Sequence, residues 1–241
     1  SQADVAEWLD KNNIKHLSSG GIQQQMAQDK LFVENALIDH EVAVPKSIQQ
    51  LSEISQGLYI SKPRKGGCHR GIEITDAQTA FEKFESNCSE GKLTQPYLIG
   101  REFSVAIIPN ETGTGFETLP PLEVIPYPKR TIYLAGQSHG KTRKNYHPIL
   151  TTIEKNNIID GCLTAHNALG LTFFSRIDVR LVGDTAFILD VNTMPNMHPT
   201  KSMLPGLLKT HKIGMREFMR RLISMGQRIY STDKSREFAD Y

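Results

Sequence analysis

The sequence is short of cysteine, of aromatic residues and of net charge, and the shortages of cysteine and of charge each remove a class of function. Its 241 residues include three cysteines, Cys68, Cys88 and Cys162, scattered and without a CxxC pair. An odd, dispersed set builds neither a disulfide framework nor a zinc site, and it suits a reducing cytoplasm. A formal net charge of +2 projects no strong field, so neither nucleic acid nor a membrane surface is implied as a partner. No apolar run reaches the roughly 20 residues that span a bilayer. The first residues lack a signal-peptide pattern, and there is no repeat, low-complexity tract or heptad pattern. Hydrophobic content of 39% and charged content of 22% are ordinary for a globular chain able to bury one large core or two smaller ones.

Three regions emerge along the chain. Residues 1–25 begin with a helix over Ala3–Asn12, pass through a strand-like Ile14-Lys15-His16-Leu17, and break at Ser18-Ser19-Gly20-Gly21. Such a piece cannot bury its own apolar face, and the chain starts at Ser1 rather than Met, so a preceding segment is expected. Residues 26–101 mix helices and strands. Leu58–Pro63 reads as a strand, and Thr75 with Gln78 resembles a capping box opening a helix with Ala77, Ala80, Phe81 and Phe84 on one side. Residues 102–241 hold a strand over Phe103–Ile108, a helix over Thr152–Leu169 and a hairpin over 171–192. A terminal helix then carries Met215, Phe218, Leu222, Met225 and Ile229 at helical spacing. The proline-rich stretch from Pro120 to Pro148 reads as irregular, the usual look of a functional lid or a disordered loop.

The most informative segment is the acidic hairpin, Arg176-Ile177-Asp178-Val179-Arg180 followed by Ile188-Leu189-Asp190-Val191-Asn192. Alternate side chains of a strand share a face, so Arg176 groups with Asp178, and Ile188 with Asp190 and Asn192, while Ile177, Val179, Leu189 and Val191 suit a core. Two acids and an amide among buried apolar residues are costly without partners. Magnesium would resolve that cost, because it takes hard oxygen ligands between carboxylates and phosphates. A solvated polar face is the alternative. Register decides between them. A two-residue turn at Gly183-Asp184 alone would pair Asp178 with Leu189 and split the acids, so the metal reading requires a longer loop or a β-bulge.

A second segment, Lys62-Pro63-Arg64-Lys65-Gly66-Gly67-Cys68-His69-Arg70-Gly71, joins a strand-end lysine to a glycine loop. Glycines let backbone N–H groups approach phosphate, and a lysine supplies a point charge. It is neither a Walker A sequence nor GxGxxG, and by itself it reads more readily as a basic surface turn.

Taken together, Arg176-Ile177-Asp178-Val179, Leu189-Asp190-Val191-Asn192-Thr193-Met194-Pro195-Asn196-Met197 and the helix through Glu217–Ile223 resemble the C-terminal signature of the D-alanine–D-alanine ligases, an ATP-grasp family. The resemblance runs from about Ile14 to Ile229. It implies an α+β fold of two lobes with ATP between them, divided as residues 1–25 (remnant or linker of an N-terminal domain), 26–101 (small lid subdomain) and 102–241 (catalytic subdomain). It implies that Asp178, Asp190 and Asn192 hold two magnesium ions, with manganese as a substitute. Arg176 and the Asn196 backbone would stabilise the oxyanion of the tetrahedral intermediate. Lys30 and Lys62 would contact the ATP phosphates, and the loop from Gly66 through Gly67 and Cys68 to His69 would close over them. Gln95-Pro96-Tyr97-Leu98 looks like the adenine hinge, with backbone hydrogen bonds from Tyr97 and Leu98. Glu102 would take the ribose hydroxyls and Leu189 would form the adenine floor.

Departures from the family pattern are as informative. The family's N-terminal domain is not among these residues, Cys68 replaces a serine, Asp190 a longer glutamate and Asn196 a glycine. The stretch 126–148 lacks the usual tyrosine–lysine pattern, for which His139, Lys141 or Lys144 are candidates. The expected activity is a cytoplasmic carboxylate–amine ligase working through an acyl phosphate on small amino acids or peptides, as in peptidoglycan biosynthesis, with a homodimer left open. An inert nucleotide-binding fragment and an ATP-grasp phosphotransferase are the competing readings.

Overall fold

The computed structural model describes residues 1–66, 71–125, 143–200 and 202–237, the last six of these by backbone alone. The chain opens with three helices, α1 (Gln2–Lys11), α2 (Gly21–Gln28) and α3 (Lys30–Ile38). Ser1 and Asp4 cap α1 reciprocally, and Asp29 caps α3 by accepting from the N–H groups of Leu31 and Phe32. Ile14–Leu17 is not a strand. It is held instead by Tyr230, whose hydroxyl accepts from the His16 N–H and donates to the His16 carbonyl at 3.0 and 2.7 Å.

Next come β1 (Leu58–Pro63), β2 (Glu73–Asp76), α4 (Ala77–Ser89) and β3 (Lys92–Pro96), with the three strands forming an antiparallel sheet ordered β2-β1-β3. The cap of α4 is Asp76 rather than Thr75, because the Asp76 carboxylate accepts the Thr79 N–H at 2.8 Å. Ala80 and Phe84 are buried, whereas Phe81, expected on the same side, is half exposed. Alternation in β1 sends Tyr59 and Ser61 inward toward α4, where Asn87 donates to the Ser61 hydroxyl at 3.0 Å. Lys62 therefore points to the opposite face, which it shares with Gln95, the register partner of Ile60.

The second sheet is built from β4 (Arg101–Pro109), β5 (Phe116–Thr118), β6 (Leu122–Ile125), β7 (Arg143–Asn145), β8 (Ser175–Val182) and β9 (Thr185–Asn192). Its order is β7-β6-β4-β8-β9, with β5 also paired to β4. The segment from Pro120 to Pro148 is thus not wholly irregular, since β6 and β7 are strands within it; residues 126–142 lie outside the described residues. Helix α5 (Thr152–Ala168) lies on one face of this sheet. There Ile158, Cys162 and Ala165 meet Phe103, Val105, Ile107, Ile177 and Val179. Helices α6 (Met203–Thr210) and α7 (Met215–Glu237) cover half of the other face. Leu204, Leu207, Phe218, Leu222 and Met225 pack there on Ala106, Ile108, Leu122 and Val124. The other half of that face carries Glu102, Ser104, Arg176, Asp178 and Arg180, and it is the polar surface the site is built on.

One buried group ties α5 to this sheet through a titration. His166 is fully buried, its Nδ1 lies 2.8 Å from the Ser175 hydroxyl, and its Nε2 has no hydrogen-bond partner among the described residues. Burial holds its pKa down to about 4, against a small upward pull from a hydrogen bond with Leu171. Between pH 6.5 and 4 the unfolded chain therefore binds a proton that the folded chain refuses, so stability falls as pH falls through that window. A single such proton contributes at most about 1.4 kcal/mol per pH unit. Thermal melts from pH 7 to 4 are expected to show a steeper loss for the wild type than for His166→Gln, and parallel curves would show that His166 is not the group responsible.

Candidate active site

The polar half-face owes its composition to one extra residue. Gly183 and Asp184 make a two-residue turn that pairs Val182 with Thr185, and Gly183 adopts the φ of +56° that the tight connection needs. Continued unbroken, that register would place Leu189 opposite Asp178. A register shift between Asp178 and Val179 instead pairs Val179 with Ile188 and Asp178 with Asp190, leaving Leu189 as the bulged residue. The bulge returns Asp178, Asp190 and Asn192 to one face, and it sends Ile188, expected beside Asp190, into the core in place of Leu189. It also turns Leu189 into the neighbouring cleft.

Asp178 is the hub of this face. Arg176 donates to it through Nε at 3.1 Å and Nη2 at 2.9 Å, a bidentate pair, and the Ser104 hydroxyl donates at 2.8 Å. Asn192 Nδ2 lies 3.4 Å from its other oxygen. Asp190 differs. Its carboxylate makes no hydrogen bond or ion pair among the described residues, while its charge acts on both Lys62 and Arg176. One register step away, Arg180 and Glu102 form a buried ion pair at 2.7 Å. Burial, helped by the nearby Asp178 charge, raises the Glu102 pKa to about 8 against the downward pull of Arg180.

Beside the β9 end of this face lies a cleft of about 330 Å³. Ala27, Val33, Val44, Pro45, Ile188, Leu189 and Val191 give it apolar walls, and Lys30, Glu34, Lys62, Gln95 and Asp190 are its polar lining. A covering of apolar surface with a few convergent polar groups is the usual form of a small-molecule site. Glu34 is buried and accepts from the Ser47 N–H at 2.7 Å and the Ser47 hydroxyl at 2.6 Å. Gln95 donates to the Pro45 carbonyl at 2.7 Å and to Glu34 at 3.1 Å. Its own carbonyl oxygen is buried without a partner among the described residues. Lys62 is buried at the other side. Burial lowers its pKa to about 8, with Asp190 and Glu34 pulling up and Lys30 pushing down. Lys30 reaches across to the Gly66 carbonyl at 2.8 Å, and Asp29 pairs with Arg64 at 2.7 Å, so the start of the glycine loop is docked on the α2–α3 junction.

Of the sequence-predicted nucleotide residues, Lys30, Lys62, Gln95 and Leu189 thus line one cleft together with Asp190. Tyr97 and Leu98, on the link between the sheets, and Glu102, at the start of β4, lie beyond that lining. The Tyr97 N–H is bonded to the Leu58 carbonyl and the Leu98 carbonyl accepts from Arg180, so of the two expected backbone groups the Leu98 N–H stands without a partner among the described residues. The same link is tight, because a Cβ on Gly100 would run into the Leu181 carbonyl. Asn196 lies in the exposed loop after β9, its carbonyl bonded to the Ser202 hydroxyl and its side chain accepting the His198 N–H at 2.7 Å. Gly67, Cys68 and His69, and with them His139 and Lys141, fall outside the described residues. Lys144 is in β7, and burial and the Arg176 charge lower its pKa.

Sequence reasoning passed over Glu34, Ser104 and Arg180. Each carried a signal. Glu34 is one helical turn beyond Lys30, Ser104 is one alternation beyond Glu102, and Arg180 continues the Arg176-x-Asp178 series.

The fit to magnesium follows from the donors. Among the described residues no group of three His, Cys, Asp or Glu side chains could cage a metal. Two carboxylates and an amide are instead what magnesium accepts when substrate phosphates complete its shell. Asp190 and Asn192 are available as they stand, and Asp178 can join only by exchanging a hydrogen bond.

Comparison with known proteins shows the family. The family profile "D-ala D-ala ligase C-terminus" matches residues 36–224. A D-alanine–D-alanine ligase of Thermotoga petrophila is 29% identical over 218 residues, covering 88% of this chain and 71% of the relative. Among solved structures, the D-alanyl-alanine synthetase A of Vibrio cholerae superposes with a TM-score of 0.78 at 20% identity, over 92% of this chain and 72% of that one. The D-alanine–D-alanine ligase of Bacillus anthracis complexed with ATP gives 0.74 at 17% identity, over 95% and 75%. At such identities the structural likeness concerns the fold, which is ATP-grasp.

Proposed function

The chain belongs to the D-alanine–D-alanine ligase family, and we propose that its cleft and polar half-face together join two small amino acids at the expense of ATP. The activity is that of an ATP-dependent ligase forming a C–N bond. The observation that carries the site assignment is the convergence of Lys30, Lys62 and Asp190, from three separate elements, on one cleft beside the Arg176–Asp178 pair.

In this reading the nucleoside end of ATP occupies the cleft between Leu189 and the Gln95 side, and an exocyclic N–H meets the unpartnered Gln95 oxygen. Lys30 and Lys62 neutralise the phosphates. A substrate carboxylate attacks the γ-phosphorus, ADP departs, and the product is an acyl phosphate. The amine of the second amino acid then attacks its carbonyl carbon, giving a tetrahedral oxyanion that collapses with loss of inorganic phosphate. Arg176 and the Asn196 N–H hold the oxyanion, worth most in a site that excludes water. Asp178, Asp190 and Asn192 would hold two magnesium ions, or manganese in their place, and such ions shield phosphate charge as it shifts. The two lobes that grip the nucleotide are assigned to residues 26–101 and 102–241, with 1–25 as the remnant or linker of a preceding domain. A cytoplasmic setting suits an ATP-dependent reaction.

The lysine supplies a test. Lys62 carries its charge below about pH 8 in the free protein and must be charged to hold phosphate, so affinity is lost as pH rises through that value. ATP affinity is expected to fall by up to about tenfold per pH unit above pH 8, the limit for one linked proton. Calorimetric titrations from pH 7 to 9.5 would show it. A flat profile would mean that Lys62 does not meet the phosphates.

A further inference from the structure

The second arginine of the β8 series has no part in the chemistry above, yet it is the more deeply placed of the two. The Arg180 side chain is 8% exposed. Its Nη2 donates to Glu102 at 2.7 Å and its Nη1 to the Leu98 carbonyl at 3.2 Å. Its guanidinium carbon lies 5.6 Å from the centre of the Tyr97 ring, within the range of a cation–π contact. Its Nε is buried and has no hydrogen-bond partner among the described residues. Tyr97, Leu98 and Glu102 are successive stations on the chain segment that leaves β3 and enters β4, so one guanidinium on the large sheet grips the link to the small sheet at three points.

A planar fork suits this task. Arginine presents five N–H donors in fixed geometry, and lysine offers a single mobile point charge. The two groups it bonds, a carboxylate and a carbonyl, are both acceptors at the edge of the proposed nucleotide site. Without Arg180 the Glu102 carboxylate would be buried with only the weaker pull of the Arg176 charge, and the carbonyl of Leu98 would lose its partner. Neither would then have one fixed position to offer a ligand.

We propose that Arg180 is a positioning residue of the nucleotide site, fixing the Glu102 carboxylate and the 97–98 backbone so that the nucleoside half of ATP meets a preformed edge. The proposal rests on the reading of the cleft as an ATP site. It assigns to Arg180 an effect on nucleotide affinity exerted through Glu102, and no contact with the amino-acid substrates.

The test uses the full chain with Arg180→Met, Arg180→Lys, Glu102→Gln and the Arg180→Met/Glu102→Gln double variant. Thermal melts are recorded for each, and binding of a non-hydrolysable ATP analogue with magnesium is measured by calorimetry. Arg180→Met is expected to weaken nucleotide binding by roughly tenfold or more, equivalent to about 1.4 kcal/mol, and to leave KM for the amino acid unchanged. Arg180→Lys should recover part of the loss. The double variant should bind about as weakly as Glu102→Gln alone, because residues acting through one another are not additive. Should Arg180→Met unfold, the Lys and double variants carry the same comparison. Nucleotide affinity within twofold of wild type in a folded Arg180→Met protein overturns the proposal, as does an equal rise in KM for nucleotide and amino acid, which marks a general structural role. A wild type that binds no nucleotide would instead remove the reading of the cleft itself.

Discussion

Arg176→Ala is expected to slow amide formation by roughly 10²–10³-fold, the usual loss when one oxyanion donor is removed. The geometry makes this more than a deletion of charge. Nε and Nη2 of Arg176 are taken up by Asp178, whereas Nη1 makes no hydrogen bond among the described residues. The bidentate pair orients the fork, and the remaining nitrogen is the one available to a developing oxyanion. Asp178 loses the same pair, so the alanine variant also alters an acid of the proposed metal face, and a change in nucleotide affinity is expected beside the loss of rate. Arg176→Lys separates the two effects. It keeps a cation beside Asp178 but loses the fork, so nucleotide binding should be largely restored and turnover should not. Equal recovery of both would make Arg176 a countercharge for Asp178 and would favour phosphoryl transfer to a hydroxyl, a reaction that needs no oxyanion donor.

The second large effect concerns Asp190. Magnesium and ATP at about 100 times the dissociation constant should stabilise the native chain by about 2.7 kcal/mol, which for a chain of this size raises Tm by roughly 5–10 °C. Asp190→Asn is expected to abolish most of that shift. Asp190 has no competing partner among the described residues, and its charge is felt by both the cleft lysine and the Arg176 fork. The substitution removes a charge at nearly constant volume, so the ligand-free Tm should move little. A full magnesium–ATP shift in Asp190→Asn would exclude this carboxylate from the metal site. ATP added without magnesium is the control, and it should give a smaller shift that the variant shares.

How far the sequence alone could carry this depends on the range over which each feature is encoded. The acidic hairpin was legible because alternation is local: Ile177 and Val179 are buried, and Arg176 and Asp178 share the other face. That some irregularity must join the two acids was legible as well, since counting from Gly183 gives the wrong parity. Its form was not, because the bulged Leu189 looks like any other member of an apolar run. Strands β6 and β7 escaped notice for the opposite reason: runs of four and three residues beside prolines carry too few positions to show a period. The α4 cap was misplaced by one residue because Thr75 and Asp76 are both good caps, and only the distance to Thr79 decides between them. The least legible features are the long-range ones. Gln95 meets Glu34 across 61 residues, and Arg180 meets Leu98 across 82. Neither pairing has a spacing that a sequence displays.

The central claim is that one site makes an acyl phosphate and passes it to an amine, and product stoichiometry tests it most directly. The chain would be incubated with magnesium, ATP and a panel of single and paired amino acids, D-alanine and D-serine included. ADP, inorganic phosphate and any dipeptide would be quantified by mass spectrometry. Equal amounts of ADP, phosphate and one dipeptide, with no ADP beyond background unless both amino acids are present, is the result expected. Phosphate released at the same rate whatever amino acid is supplied, or a stable phosphorylated acceptor and no amide, would contradict it.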